Sequence, residues 1–252
     1  MEIPDALLFS EPCPYLPGRT SVGEMRQEKE SFSTYEHLLL LGWRRSGTIL
    51  YRYRCMDCSQ CIPIRIPVSR LSYGKHIKSL LRRNSDIQVS LSAPHFCDEY
   101  YSLYEKYIST RHPGGGPLGK ESFVSLLDAP IAMVSEYRDS SAKLCALGFI
   151  DMLPGGISSV YFAFDPNEGK RSLGSFSIYA EAAIAQKLGR NYYYLGFWVP
   201  FASKMDYKAD FHPFELALPI LKEDDSPDSQ PHWVEFSCKE DALDYLSASQ
   251  HR

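Results

Sequence analysis

The residues with the most chemistry to offer sit late in the chain. Tyr192-Tyr193-Tyr194-Leu195 is an aromatic run of the kind that favours a strand, and it leads to Gly196, where no Cβ obstructs an approaching backbone or ligand. Trp198, Lys204, Tyr207, Lys208, His212 and Glu215 follow. These side chains can donate, accept and carry charge beside a reacting group. A buried strand and a loop whose aromatics merely pack is the plainer reading of the same stretch. A second cluster is Cys55-Met56-Asp57-Cys58-Ser59-Gln60-Cys61, two overlapping C-x2-C pairs, each able to reach one ion from a single turn. Cys13 supplies a fourth sulfur if the proline-rich lead-in folds back. The pattern has no second clear pair and no histidine. A structural zinc or iron–sulfur site on Cys13, Cys55, Cys58 and Cys61 therefore stands beside the alternative of reduced thiols.

A third feature is electrostatic. Between Trp43 and Arg83 the cations are Arg44, Arg45, Arg52, Arg54, Arg65, Arg70, Lys75, Lys78, Arg82 and Arg83, and the one acid is Asp57. The chain as a whole carries a net charge of −4, so one basic block is offset by an acidic remainder. Such a block fits nucleic-acid phosphates or carboxylates as a partner.

Composition narrows the class. The chain has 252 residues, 44% of them hydrophobic and 23% charged, which suits a globular protein with a sizeable core. No apolar run approaches the length of a membrane span, and Met1-Glu2-Ile3-Pro4-Asp5 lacks the features of a secretory signal. The expectation is a cytoplasmic protein without membrane association. Seven cysteines, an odd number, fit that setting better than a disulfide framework.

The elements that must position these residues follow from periodicity. Glu11–Arg19, with three prolines, is an extended lead-in. Glu28–Leu41 has helical spacing and stops at Gly42. Strands are predicted at Ile49–Arg54 and Ile62–Val68, the second with one apolar face and, because of Pro63 and Pro67, at a sheet edge. Lys75–Asn84 is a short basic helix, Ile87–Leu91 a strand and Pro94–Arg111 a long amphipathic helix; the glycine-rich His112–Pro117 is a loop. Ala132–Tyr137, Lys143–Asp151 and Ser158–Phe164 form an antiparallel meander, followed by a turn at Ser172-Leu173-Gly174, a helix over Phe176–Leu188 capped by Ser172, and the strand at Tyr192. Three strands, a glycine-bearing turn, a helix and a strand is the order of the N-acetyltransferase-like fold, in which the helix N-terminus and its turn receive phosphate. The expected class is α+β. It comprises a basic, cysteine-containing N-terminal domain over 1–92, an N-acetyltransferase-like (GNAT-like) domain over 93–222, and an acidic tail with a short helix over 223–252.

Eight ordered blocks then carry a family resemblance. They are Cys13-Pro14-Tyr15-Leu16-Pro17, Gly42-Trp43-Arg44-Arg45-Ser46-Gly47, Cys58–Arg65, Tyr107 to Arg111-His112, Tyr161 to Asp165-Pro166, Ser172-Leu173-Gly174, Tyr194–Trp198 and Met205–Glu215. Together they resemble the arginyl-tRNA–protein transferase family, in its bacterial, leucyl-transferring branch. The sequence departs from the family pattern at Tyr53, at His76–Ser79 and at Pro117.

The resemblance implies transfer of leucine from leucyl-tRNA to the α-amine of proteins that begin with Asp or Glu, marking them for a downstream protease adaptor. No cofactor is required by that chemistry. On that reading Arg44, Arg45 and Arg65, with Arg82 or Arg83, are the candidates to bind the acceptor carboxylate and tRNA phosphates, with Ser172 and Gly174 at the phosphate-facing turn; pairing of Arg44 and Arg45 with the acidic half of the chain is the plainer alternative. Tyr194, Tyr207 and Lys208 would handle the amine, the carbonyl or the tRNA 3′ end, and Trp198 would stack a terminal base. An arginyl donor, an acyl-CoA-dependent N-acetyltransferase and a non-catalytic, zinc-dependent RNA-binding module built on the cysteine cluster and the basic block are the rival readings. The first would need an acidic aminoacyl pocket; the second is opposed by Phe176, which stands where a small residue should let the pantetheine pass.

Overall fold

The computed structural model describes residues 6–27, 32–111, 119–219 and 231–249. The glycine-rich loop at 112–117 and the acidic stretch at 223–228 lie outside these residues, as does the start of the helix expected from Glu28.

The first half of the described chain forms β1 (Leu7–Pro12), β2 (Thr20–Gln27), α1 (Phe32–Leu40), β3 (Arg44–Ser46), β4 (Ile49–Tyr53), β5 (Ile62–Pro67), α2 (Lys75–Arg83), β6 (Gln88–Ser92) and α3 (Asp98–Arg111). Then come α4 (Lys120–Leu127), β7 (Ala132–Arg138), β8 (Leu144–Met152), β9 (Gly156–Phe164), α5 (Leu173–Lys187), β10 (Tyr192–Trp198), β11 (Phe214–Leu218), β12 (His232–Phe236) and α6 (Lys239–Ser249). The protein is α+β, as expected. By its contacts the chain forms two compact units, one of Met1–Arg45, Ile49–Ser72 and Tyr194–Arg252, the other of Ser46–Thr48 and Tyr73–Tyr193. The chain thus passes from one unit to the other inside β10, whereas the sequence placed boundaries near residues 92 and 222.

In the first unit β1, β2, β4 and β3 lie side by side in that order, and β12, β11, β5 and β10 form a second run. Here β5 corrects the expectation of an edge strand, because it lies between β11 and β10. Its prolines are accommodated because pairing with β11 engages only Ile64 and Arg65, between them. Nor is one face open: Ile62, Ile64, Arg65 and Ile66 are all buried.

The second unit is built on β9, β8, β7 and β6 in order, with β7 to β9 the predicted meander. α3 packs Tyr100, Leu103, Tyr104 and Ile108 into a core with Phe123, Leu147 and Phe149. Each of those side chains is almost wholly withdrawn from water, about 1.5–3 kcal/mol of transfer free energy apiece. Ser172 occupies the N-cap position of α5 but corrects the capping expectation. Its backbone is left-handed, with φ 54°, and its hydroxyl makes no capping hydrogen bond.

Candidate functional site

Within the first unit, cations gather around the end of β10. Arg44, on β3, is 3% exposed. Its Nη2 donates to the carbonyl of Gly196 at 2.9 Å, and the guanidinium lies over the rings of Tyr194 and Phe197, 5.6 and 5.9 Å from their centroids. Its Nε and Nη1 are buried without a hydrogen-bond partner among the described residues. A buried charged donor left unpaired is costly.

Lys208 comes from a short helical turn, Asp206–Asp210. It is half-buried, and its Nζ donates to the carbonyl of Phe197 at 3.1 Å. Gly196 has φ +88°, a conformation glycine adopts freely, and a Cβ built there would lie 3.5 Å from the Lys208 amine. Two successive carbonyls of β10 are thus taken by two cations. Burial, and then the charge of Arg44, push the Lys208 amine down to about 7, while burial lowers Arg44 to about 10.

Arg65 is nearby but differently employed. Its Nε and Nη2 both bind Glu215 Oε2, at 2.7 and 2.6 Å, its Nη1 reaches the Tyr194 hydroxyl at 3.4 Å, and its plane lies 4.2 Å from the Trp233 ring centroid. The expectation that Arg65 forks a substrate carboxylate is corrected: its fork is filled by Glu215 from the neighbouring strand, and it orients Tyr194. Tyr194 itself is buried, which raises its hydroxyl above the ordinary range. Arg45 is buried beside Arg44 and engaged within the protein.

Other expectations shift as well. Trp198 is fully buried, tilts against Phe214 and donates its indole N–H to Asp206 at 3.3 Å. A ring with no accessible face cannot stack a base, so that role is withdrawn. Tyr207 is exposed, edge-on to Phe211. Arg82, Arg83, Ser172 and Gly174 belong to the second unit. There Arg83 donates to the Lys170 carbonyl at 2.9 Å and the Ser172 hydroxyl at 3.5 Å, Arg82 to the Lys78 carbonyl at 3.3 Å, and the space above Gly174 is open.

The cysteines occupy the first unit. Cys13 Sγ accepts from Leu16 N, and Cys55 Sγ accepts from Val22 N while donating to Val22 O. Burial, then the neighbouring thiols of Cys13, Cys55 and Cys58, push Cys61 up to about 12. Among the described residues no group of three or more His, Cys, Asp or Glu side chains is arranged to hold a metal ion. The four-sulfur ligand set suggested by the spacing is not assembled as one. What surrounds Cys61 is aromatic: Tyr15, Tyr51, Tyr53 and Phe197 form edge-to-face and tilted contacts. Sequence reasoning missed these three tyrosines as a group: Tyr15 lies in the first motif-bearing block, while Tyr51 and Tyr53 fall outside the blocks and Tyr53 was met only as a departure from the family pattern.

The sequence compared with known proteins settles the family. The N-terminal region described as "Arginine-tRNA-protein transferase, N terminus" matches residues 11–79, and its C-terminal counterpart matches 99–218. The chain belongs to the arginine-tRNA–protein transferase family. It is a tRNA-dependent aminoacyltransferase, as the ordered motifs implied.

Among its relatives, the aspartate/glutamate leucyltransferase of Pseudomonas fluorescens (strain Pf0-1) is 37% identical over 212 residues, 82% of this chain and 90% of the relative. The enzyme of the same name from Pseudomonas syringae pv. tomato is 39% identical over 210 residues, 81% and 89% of the two chains. Solved structures with some likeness include the C-terminal domain of a putative lysylphosphatidylglycerol synthetase from Agrobacterium fabrum (TM-score 0.49, 13% identity, 75% of this chain and 64% of that one). FemX is another (TM-score 0.46, 8% identity, 73% and 65%). Among the described residues no helix is long and apolar enough to cross a membrane.

Proposed function

We propose that this transferase moves leucine from leucyl-tRNA to the α-amine of cytoplasmic proteins beginning with Asp or Glu, a mark read by a protease adaptor. The observation that supports the reading is Arg44, a buried guanidinium with two donors left without a hydrogen-bond partner among the described residues, beside the Lys208 amine. A guanidinium fork matches an acidic side chain in shape as well as charge. An acceptor whose first residue is Asp or Glu would place its carboxylate on Arg44 and its α-amine toward Lys208.

The chemistry then needs little beyond placement. The aminoacyl ester is already activated, and an α-amine with a pKa of about 7.7–8.0 is partly neutral at physiological pH. Its nitrogen attacks the ester carbonyl, an amide bond forms, and the ribose oxygen leaves with a proton. Holding the two reactants at attack distance supplies much of the rate. A cation close to the carbonyl steadies the developing oxyanion, and no cofactor enters the step. Leucyl is favoured as the donor by the names of the relatives. An acyl-CoA donor fits less well: Phe176 is buried against Tyr137, and the Arg171 guanidinium is tied to Asp86 and Glu168.

The test is a grid of radiolabelled leucyl-, arginyl- and phenylalanyl-tRNA against peptides starting with Asp, Glu, Asn, Lys or Arg. Label should pass from leucyl-tRNA to the Asp and Glu peptides alone. Transfer to Lys or Arg peptides, or from arginyl-tRNA only, would overturn the acceptor or the donor assignment respectively.

A further inference from the structure

Just past Phe197 the chain makes a turn at odds with its own sequence. Ala202 N donates to Val199 O at 3.2 Å, closing a four-residue turn with Pro200 and Phe201 at its corners. Phe201 has φ +65°, the left-handed value that the second corner of a type II turn requires. Proline suits the first corner of such a turn, and glycine or asparagine the second. A phenylalanine there strains the backbone. It gains nothing from packing in return, since the residue is 79% exposed.

The strained corner is firmly held. Asp206 Oδ1 accepts from Phe201 N and from the Trp198 indole, both at 3.3 Å, and Lys239 Nζ binds the other oxygen of Asp206 at 3.0 Å. Met205 N and Asp206 N both donate to Ala202 O at 2.8 Å. Ala202 in turn packs with Phe197 and Val199. The ring is thus presented to solvent on a loop that starts at the strand end gripped by Arg44 and Lys208, and the same loop runs on into Lys208. A strained, exposed aromatic kept in place by a half-buried polar clamp is a feature of binding sites.

We propose that Phe201 is the stacking platform for the terminal base of the aminoacyl-tRNA. The inference rests on the function proposed above. The ester to be attacked sits on the 3′-terminal nucleotide of an unpaired end. Unpaired bases are held by exposed aromatic faces, which take any base because every base has a π-face. Among the two aromatics flanking this turn, Trp198 is fully buried and Phe201 is open. A stacked terminal base would fix the ester beside Lys208 without contacts to the leucyl side chain.

The experiment measures affinity for deacylated tRNA with an intact 3′ end and for the same tRNA lacking its terminal adenosine. It uses the full chain and its Phe201→Gly and Phe201→Trp variants. Phe201→Gly relieves the turn, so its Tm should equal or exceed that of the parent, while its Kd for intact tRNA rises about 5- to 150-fold, the worth of one stacked base. Phe201→Trp should bind intact tRNA as well as the parent does. Truncated tRNA should bind the parent and the glycine variant alike. Equal weakening of intact and truncated tRNA in Phe201→Gly would overturn the inference. So would an unchanged tRNA Kd with a raised KM for an Asp-initiated peptide, which would give the ring to the acceptor. Failure of the parent protein to transfer leucine in the donor–acceptor grid strikes the proposed function instead. The two failures are therefore distinguishable.

Discussion

Two buried arginines near one tyrosine ring, that of Tyr194, have opposite fates, and the difference is the whole of their chemistry. Arg65 has a carboxylate partner in Glu215, both largely shielded from water at 8% and 13% side-chain exposure. Arg44 has a single backbone carbonyl and two donors to spare. Truncation should separate them. Arg65→Gln strands a buried carboxylate and should cost about 3–5 kcal/mol of stability, read as a fall in the urea midpoint. Arg44→Gln removes a charge that is already poorly satisfied and should leave stability within about 1 kcal/mol. Its kcat/KM for an Asp-initiated peptide should fall on the order of a hundredfold relative to an Asn-initiated one, because a charge-assisted pair is gone. Unaltered Asp/Asn discrimination would take Arg44 out of the acceptor pocket.

At the scale of elements, α5 is fastened to its sheet by a buried carboxylate. Glu181 is 1% exposed and accepts from Ser135 Oγ at 2.7 Å and Tyr137 OH at 2.9 Å on β7, and from Tyr193 OH on β10. A Cβ on Gly148 of β8 would collide with Ser135 Oγ and the Glu181 carboxylate, so the close approach of helix and strand depends on that glycine. Burial raises the Glu181 carboxyl above its ordinary value, against the pull of the three hydroxyls. The folded state therefore keeps its proton to higher pH than the unfolded chain does. The resulting stability is fully present below the ordinary value of about 4.3 and is lost as pH climbs through the raised one. Urea midpoints measured from pH 4 to 7 should show this decline, and Glu181→Gln, which cannot titrate, should lack its share of it. An identical pH slope in the two proteins would mean that the carboxylate is accommodated without penalty.

For the whole molecule the relevant quantity is how charge is distributed. α2 shows one cationic side: Lys75, Lys78, Arg82 and Arg83 are exposed, Leu80 is buried, and among the described residues none of the four cations forms an ion pair with a carboxylate. Spacings of three and four residues put Lys75, Lys78 and Arg82 along one helix face. Such a face suits the phosphates of the RNA donor and adds little to folding. Replacing Lys78 and Arg82 by Gln should weaken tRNA binding with no change in Tm. The slope of log Kd against log salt should fall by roughly 0.7–0.9 for each phosphate that is no longer neutralised. An unchanged slope would leave the basic helix a solvated face.

Local chemistry was legible in the chain because its causes lie within a few residues. Consecutive strand-like runs with turn residues between them marked β7 to β9, helical spacing marked α3, an alanine-rich run marked α5, and the basic run marked α2. The ordered blocks from Cys13 to Glu215 pointed to the family without any help from tertiary structure. The partners and the exposure of each side chain were not legible, because both depend on residues far away in the sequence. Arg65 is committed by Glu215, 150 positions on. Pro63 and Pro67 suggested an edge, yet β5 lies between β11 and β10, and its pairing with β11 runs through Ile64 and Arg65, the residues between the prolines that still carry an N–H. Trp198 was the aromatic that the sequence offered for stacking a base, yet the fold buries it against Phe214 and leaves Phe201, three residues on, exposed. The sequence alone thus determined the elements and the kind of chemistry. Tertiary packing decided which of several similar side chains is left with a hand free, since that is settled by which charges and surfaces the fold brings together.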